Sequence, residues 1–140
     1  MPRPKRTILF ICQSNASRSQ MAEAFVNHQL RDRYEAFSAG TQPSRLDPIA
    51  VKAMKEVQID ISKQKAKGVE TYYGKEFDYV VTLCDEAEEE CSFFIKGRDY
   101  VHKGFAEPSE AKVPDDKLFA EYRRSRDDIR AWMNKTFGGR

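Results

Sequence analysis

A short apolar run, Thr7 to Cys12 (TILFIC), ends on a cysteine, and after five more residues an arginine, Arg18, opens a stretch of helical spacing. No other feature restricts the fold as much. The run is rich in β-branched and aromatic residues, with charge before it and Ser/Asn after it, and reads as a buried strand of a parallel sheet. Met21, Ala22, Phe25, Val26 and Leu30 then recur at three- and four-residue intervals, one face of a helix. Strand, polar turn and helix in immediate succession are the start of a βαβ unit.

The remaining chain continues the alternation. Tyr34 to Ala39 reads as a second strand ended by Gly40. After the turn-rich stretch Pro43 to Pro48, Asp47 and Pro48 have the character of an N-cap and a first helical position. Ile49, Ala50, Ala53, Met54 and Val57 carry that helix on. Phe77 to Leu83 (FDYVVTL) is the clearest strand, Tyr100 to Phe105 a last short one. Phe119, Tyr122, Ile129, Trp132 and Met133 stripe a C-terminal helix from about Asp116 to Phe137. Nothing in the pattern marks a repeat, linker or second domain. The expectation is one domain over residues 1–140, of the α/β class, in three layers: a small parallel sheet of about four strands with helices on both faces.

Composition excludes several functions. With 24 basic and 22 acidic side chains in 140 residues the net charge is only +2, unlike a dedicated nucleic-acid binder. No apolar run approaches the ~20 residues that span a bilayer. Arg3, Lys5 and Arg6 precede no proper signal-peptide core. A cytoplasmic, monomeric protein with no membrane or nucleic-acid partner is expected. Three cysteines are too few for a disulfide scaffold. In a reducing compartment such thiols tend to be catalytic, redox-active or metal-bound. There is no C-x2-C pair, and neither His28 nor His102 has a neighbour at ligand spacing, so no metal and no cofactor are expected. The lysines from Lys63 to Lys67 read as a solvated face.

The chemistry concentrates in Cys12-Gln13-Ser14-Asn15-Ala16-Ser17-Arg18-Ser19. A loop between a strand end and a helix start wraps round with its N–H groups inward, and such a nest is an anion site. The same field favours the nucleophilic thiolate at Cys12. Arg18 supplies a planar fork for two oxygens of a tetrahedral oxyanion. Ser19 can donate to the sulfur, and Asn15 can brace the loop. Gln13, Ser14, Asn15, Ala16, Ser17, Arg18 and Ser19 are thus the candidate oxyanion binders. A bare C-x5-R pattern is weak; the strand before it and the helix after it give it weight.

The loop resembles that of the low-molecular-weight protein tyrosine phosphatase fold family, C-x5-R-[ST] near the N-terminus. Ser19-Gln20-Met21-Ala22-Glu23-Ala24, Ser38-Ala39-Gly40 and Ala50 to Val57 (AVKAMKEV) resemble one branch of it, the thioredoxin-coupled arsenate reductases, over nearly the whole chain. That branch carries a Val-Val-Thr-Leu-Cys motif with a further cysteine seven residues on, matched here by Val80 to Cys84 and by Cys91. The resemblance implies a thiol cascade. Cys12 attacks arsenate, Cys84 attacks Cys12 and arsenite leaves, Cys91 takes the disulfide from Cys12–Cys84 to Cys84–Cys91, and thioredoxin reduces it. Phosphate and sulfate would compete as oxyanions. The sequence itself leaves the donor open among thioredoxin, a glutaredoxin-like protein and a small thiol. It also leaves two alternatives: a tyrosine phosphatase with two incidental cysteines, and a redox-sensing protein that holds an oxyanion without turnover.

The Cys84–Cys91 spacing has a physical consequence. In a helix the two Cα atoms would stand roughly 10.5 Å apart, whereas a disulfide needs about 7 Å or less. A change of conformation on oxidation is expected there. Five carboxylates fill positions 85–90, and their mutual repulsion weakens a helix.

Two departures from the resemblance stand out. The family's Asp-Pro, whose aspartate is the general acid, is here Glu107-Pro108, so Glu107 is the candidate acid. Some of these reductases hold potassium with residues matching Asn15, Glu23, Ser38 and an aspartate in the loop after Ile59-Asp60-Ile61-Ser62. The aspartate position falls on Lys67, so no potassium site is expected and Lys67 should pair with Glu23.

Overall fold

The structure, a computed structural model, describes residues 5–85 and 95–138. Cys91, the acidic run from Glu86 onward and the expected conformational change between Cys84 and Cys91 lie outside the described residues.

Strand β1 (Arg6–Cys12) is followed by helix α1 (Arg18–Gln29), strand β2 (Tyr34–Gly40) and helix α2 (Pro48–Lys55). A 3-10 turn (Val69–Tyr72), strand β3 (Glu76–Thr82), strand β4 (Lys96–His102), a second 3-10 turn (Pro108–Glu110) and helix α3 (Asp115–Phe137) complete the described order. The four strands form one parallel sheet in the order β2-β1-β3-β4. Ile8 and Phe10 point to one side of β1, Leu9 and Ile11 to the other, and all four are fully buried. Both faces of the sheet are therefore covered, and the fold is the expected α/β arrangement.

This topology places the chemistry. The chain leaves β1 toward β2 on one side and reaches β3 on the other, so the strand order reverses beside β1. Loops beyond the carboxyl ends of strands at such a reversal leave a crevice. Cys12 ends β1, Gly40 ends β2, and Cys84 follows β3 by two residues. Leu83 N–H donates to the Ile11 carbonyl at 2.8 Å, so the ladder runs on to the residue before Cys84.

The helices begin where local chemistry starts them. Asp47 caps α2, its Oδ1 accepting from Ile49 N–H at 2.9 Å, with Pro48 in the first turn. The first turns of α1 depart from a one-sided stripe. Arg18, Ser19, Gln20, Met21 and Ala22 are all buried, because this end carries the loop rather than a solvent face. Leu30 lies past α1 and closes it, its N–H donating to the Val26 carbonyl.

The last strand differs from expectation: it is Lys96–His102, not Tyr100–Phe105. It is an edge strand whose side chains are mostly exposed and charged, so no apolar alternation marks it. Beyond it, Lys103 and Phe105 N–H groups still bond to the Thr82 and Leu83 carbonyls, and Phe105 packs on the core. The apolar signal therefore sits past the paired residues. Helix α3 starts at Asp115, one residue before the expected Asp116.

Helix α3 is clasped to α2. Tyr122 hydroxyl donates to Asp47 Oδ2, and Arg126 Nη1 donates to the Ala53 carbonyl at 2.8 Å. Glu56 Oε1 accepts from Arg123 Nε at 2.9 Å and Arg126 Nη1 at 2.8 Å. Its Oε2 accepts from Arg123 Nη2 at 2.6 Å. Arg123 first, then Arg126, hold the Glu56 carboxyl down at about 2. A lowered carboxyl contributes stability above its ordinary value that is lost as pH falls through the folded one. The stability gap between wild type and Glu56→Gln should therefore be steady above 4.5 and close as pH falls toward about 2. Urea titrations at stepped pH would check it; a gap independent of pH would contradict the clasp.

Gly40 admits no side chain. A Cβ there would lie 2.7 Å from the Gln13 carbonyl oxygen and 2.9 Å from Asn15 N, both backbone atoms that cannot swing aside. Gly40→Ala should cost about 1–3 kcal/mol in chemical denaturation and loosen the loop after Cys12. A neutral substitution would show that strand β2 and the loop are not in register.

Candidate active site

The loop between β1 and α1 is shaped from outside. Carbonyls of Cys12, Gln13, Ser14 and Ala16 accept from the N–H groups of Thr41, Gln42, Ser44 and Asp47, at 3.2, 2.8, 3.0 and 3.0 Å. In a trans peptide the C=O and the following N–H point opposite ways, and no described bond is cis. The N–H groups of Gln13, Ser14, Asn15 and Ser17 are therefore turned to the inner side. Asn15 makes the bend with φ of 51°, a left-handed conformation that asparagine tolerates. The result is an array of inward amides ending at the start of α1, suited to an anion.

Cys12 is fully buried at the floor. Its Sγ lies 2.9 Å from Ser19 Oγ. Ser19 Oγ in turn accepts from Asn15 Nδ2 at 2.7 Å. Asn15 Oδ1 accepts from Lys67 N–H at 2.8 Å and Gln20 Nε2 at 3.0 Å. A backbone N–H can only donate, which fixes the Asn15 amide: oxygen toward Lys67, nitrogen toward Ser19. The single Ser19 proton is thereby left for the sulfur.

Arg18 is 5% exposed. Nη1 donates to the Phe105 carbonyl at 3.0 Å, and Nη2 stands 3.1 Å from Glu107 Oε2. Its buried Nε has no hydrogen-bond partner among the described residues. Glu107 Oε1 accepts from Ser17 Oγ at 3.1 Å, Ser109 N–H at 3.2 Å and Ser109 Oγ at 3.1 Å. The bonding partners of the Glu107 carboxylate among the described residues are donors, and they link the loop after β4 to Ser17 and Arg18 at the position that the sequence offers as a general acid. Ser17 consequently gives α1 no side-chain cap.

Two cavities open on this floor. One of about 670 Å³ is lined by Gln13, Ser14, Ala16, Arg18, Arg45 and Glu107 among others. A second of about 410 Å³ is lined by Gln13, Arg18, Cys84, Asp85, Phe105 and Glu107 among others. Cys84 is a free thiol, 4% exposed, and shares its cavity with Gln13, the neighbour of Cys12. The structure thus brings Gln13, Arg18, Cys84 and Glu107 to one cavity, with Cys12 buried directly before Gln13 in the chain; Cys91 lies outside the described residues. His28 is exposed on α1. His102 stands between Thr82 Oγ1 at 2.8 Å and Asp85 Oδ1 at 3.0 Å. No cluster of three or more His, Cys, Asp or Glu side chains that could hold a metal ion occurs among the described residues, and no described helix is long and apolar enough to cross a membrane.

Three parts of the site escaped the sequence reading. Segment 41–47 had only turn signals, and its backbone role leaves no side-chain pattern. Arg45 lies in that segment and reaches the larger cavity only through the fold. Gln20 was one letter of a motif, and its hydrogen bonds to Asn15 and Lys65 join segments far apart in sequence.

Lys67 stands where expected, Nζ 4.0 Å from Glu23 Oε1. Ser38 Oγ donates to the same oxygen at 2.7 Å. Burial is the largest influence on the Glu23 carboxyl and pushes it up, against the Ser38 bond and the Lys67 charge. A carboxyl raised on folding contributes stability at low pH that is lost as pH rises through the folded value. Lys67→Met removes a charge that restrains this rise, so its melting temperature should match wild type near pH 4.5 and fall below it by roughly 4 °C at pH 8. Thermal melts at the two pH values test this; an equal depression at both would sever Lys67 from Glu23.

The comparisons agree with this geometry. The arsenate reductase of Halalkalibacterium halodurans is 40% identical over 125 residues, 89% of this chain and 90% of that protein. A solved arsenate reductase in its phosphate-binding state superposes with a TM-score of 0.75 at 25% identity, over 93% of this chain and 95% of the other. A thioredoxin-dependent arsenate reductase from Corynebacterium glutamicum gives 0.66 at 25% identity, over 96% of this chain and 63% of that longer one. The low molecular weight phosphotyrosine protein phosphatase family matches residues 7–136, nearly the whole length, and the chain belongs to that family.

Proposed function

We propose that the protein is an arsenate reductase that works by a three-thiol relay, Cys12, Cys84 and Cys91, with thioredoxin as the final reductant in the cytoplasm. The observation that carries the reading is the second thiol. Cys84 is buried and lines a cavity together with Gln13 and Arg18, the second and seventh residues of the loop segment that begins at Cys12. Hydrolysis of a phosphate ester needs one cysteine; a two-electron reduction needs two. Relatives at about 40% identity that are arsenate reductases support it.

The chemistry balances as follows. The oxyanion sits among the inward amides with Arg18 beside it. Cys12 Sγ bonds to arsenic(V) as one As–OH bond breaks, and the leaving hydroxide takes up the proton that the Cys12 thiol gave up and departs as water. Cys84 thiolate attacks Cys12 Sγ; the S–As bond breaks with its electron pair going to arsenic, which departs as arsenite. The two thiols are oxidised to a Cys12–Cys84 disulfide. Cys91 then attacks Cys84, freeing Cys12 thiolate, and thioredoxin reduces Cys84–Cys91. In this reading Glu107 tethers Arg18, and the sulfur-on-sulfur step makes little demand on a general acid.

The test couples NADPH oxidation to thioredoxin and thioredoxin reductase, with and without arsenate, for wild type and Cys91→Ser, and measures aryl-phosphate hydrolysis on the same samples. Arsenate-dependent oxidation in wild type should vanish in Cys91→Ser, with any hydrolysis unaffected. Brisk hydrolysis without arsenate-dependent oxidation would make the protein a phosphatase.

A further inference from the structure

Gln20 has no exposed surface, yet its side chain is fully engaged. Nε2 lies 3.0 Å from the Asn15 carbonyl, 3.0 Å from Asn15 Oδ1 and 2.8 Å from the Lys65 carbonyl. Its Oε1 accepts from Gln64 Nε2 at 2.6 Å, and Gln64 Nε2 also reaches the Gln20 carbonyl at 3.3 Å. Three acceptors face Nε2, so the amide cannot turn over: Oε1 would then meet three oxygens in a site closed to water.

That fixed amide bears on the nucleophile. We propose that Gln20 is a positioning residue for Cys12: it holds Asn15 in the one orientation that leaves the Ser19 hydroxyl proton for the sulfur. The inference rests on the reading of Cys12 as nucleophile. Were the Asn15 amide reversed, its oxygen would face Ser19 Oγ and take that proton, and Sγ would lose the donor now 2.9 Å away. Lys67 N–H opposes the reversal too, but only while segment 64–67 stays against the loop. Gln20 ties both: it bonds Asn15 at two atoms on one side, and Lys65 and Gln64 on the other. The chain Gln64–Gln20–Asn15–Ser19–Cys12 is one directional network, in which each donor is set by the one before it.

The test measures the pH profile of iodoacetamide alkylation of Cys12, in a Cys84→Ser/Cys91→Ser background where it is the remaining thiol. Gln20→Leu, Ser19→Ala and the double variant are compared, with circular-dichroism melts to establish folding at each pH. Loss of one hydrogen bond to the charged sulfur should raise the midpoint in Gln20→Leu and in Ser19→Ala. The double variant should move no further than Ser19→Ala alone. An unmoved midpoint in Gln20→Leu, or shifts that add in full, would overturn the proposal. Should Gln20→Leu not fold, Gln64→Leu at the more exposed end carries the test: a smaller upward shift, absent when Ser19→Ala is present, upholds it and an unmoved midpoint overturns it. A background protein whose midpoint already equals that of free cysteine would refute the nucleophile reading itself; a low midpoint untouched by Gln20→Leu refutes only the role of Gln20.

Discussion

Four backbone hydrogen bonds, from the amides of residues 41–47 to the carbonyls of Cys12, Gln13, Ser14 and Ala16, set the rest of the site. Peptide planarity converts those outward carbonyls into inward amides. The inward amides make a cradle suited to an anion before any side chain is considered. The arrangement requires strand β2 to end directly against the loop, and that contact excludes a Cβ at Gly40. It also sets where α1 begins, and so delivers Arg18 to the mouth of the loop.

The second layer is polar and buried. Asn15, Ser17, Ser19, Gln20 and Ser38 have no exposed surface. Buried polar groups are costly unless they are bonded. Asn15, Ser19 and Gln20 answer one another, Ser17 reaches Glu107 and Ser38 reaches Glu23. Fully satisfied networks of this kind hold one arrangement of donors. The arrangement here aims a hydroxyl at sulfur, as nucleophilic chemistry requires. Glu23 and Lys67 form the outer edge, an ion pair at a segment that also presents its backbone N–H to Asn15.

Around this floor the loops after β3 and β4 bring the remaining chemistry. Cys84 arrives because the ladder of β3 runs to Leu83, held by the Ile11 carbonyl. Glu107 arrives because Lys103 and Phe105 still bond alongside β3, so the chain after β4 turns back over Arg18. A thiol and a carboxylate from distant segments thus face one anion site. The proposed reaction, which binds an oxyanion through sulfur and then hands electrons to it, needs such a convergence.

The sequence by itself determined the local units. Thr7–Cys12 as strand, Arg18 as the first residue of α1 and Asp47-Pro48 as the start of α2 each depend on residues within one turn or one strand, which spacing reveals. The pairing of Lys67 with Glu23 was legible only through the family resemblance, which sets Lys67 where relatives carry an aspartate. Tertiary structure alone decided the rest. Edge strand β4 carries no apolar alternation, so its register came from hydrogen bonding to β3. Glu107 was readable as a carboxylate near the site, but only the fold surrounds it with donors and pairs it with Arg18. Segment 41–47 and Gln20 act through backbone amides and a buried side-chain amide whose partners lie elsewhere in the chain. Hydrogen-bond direction is a property of atoms brought together in space, and no spacing of residue types along one chain encodes it.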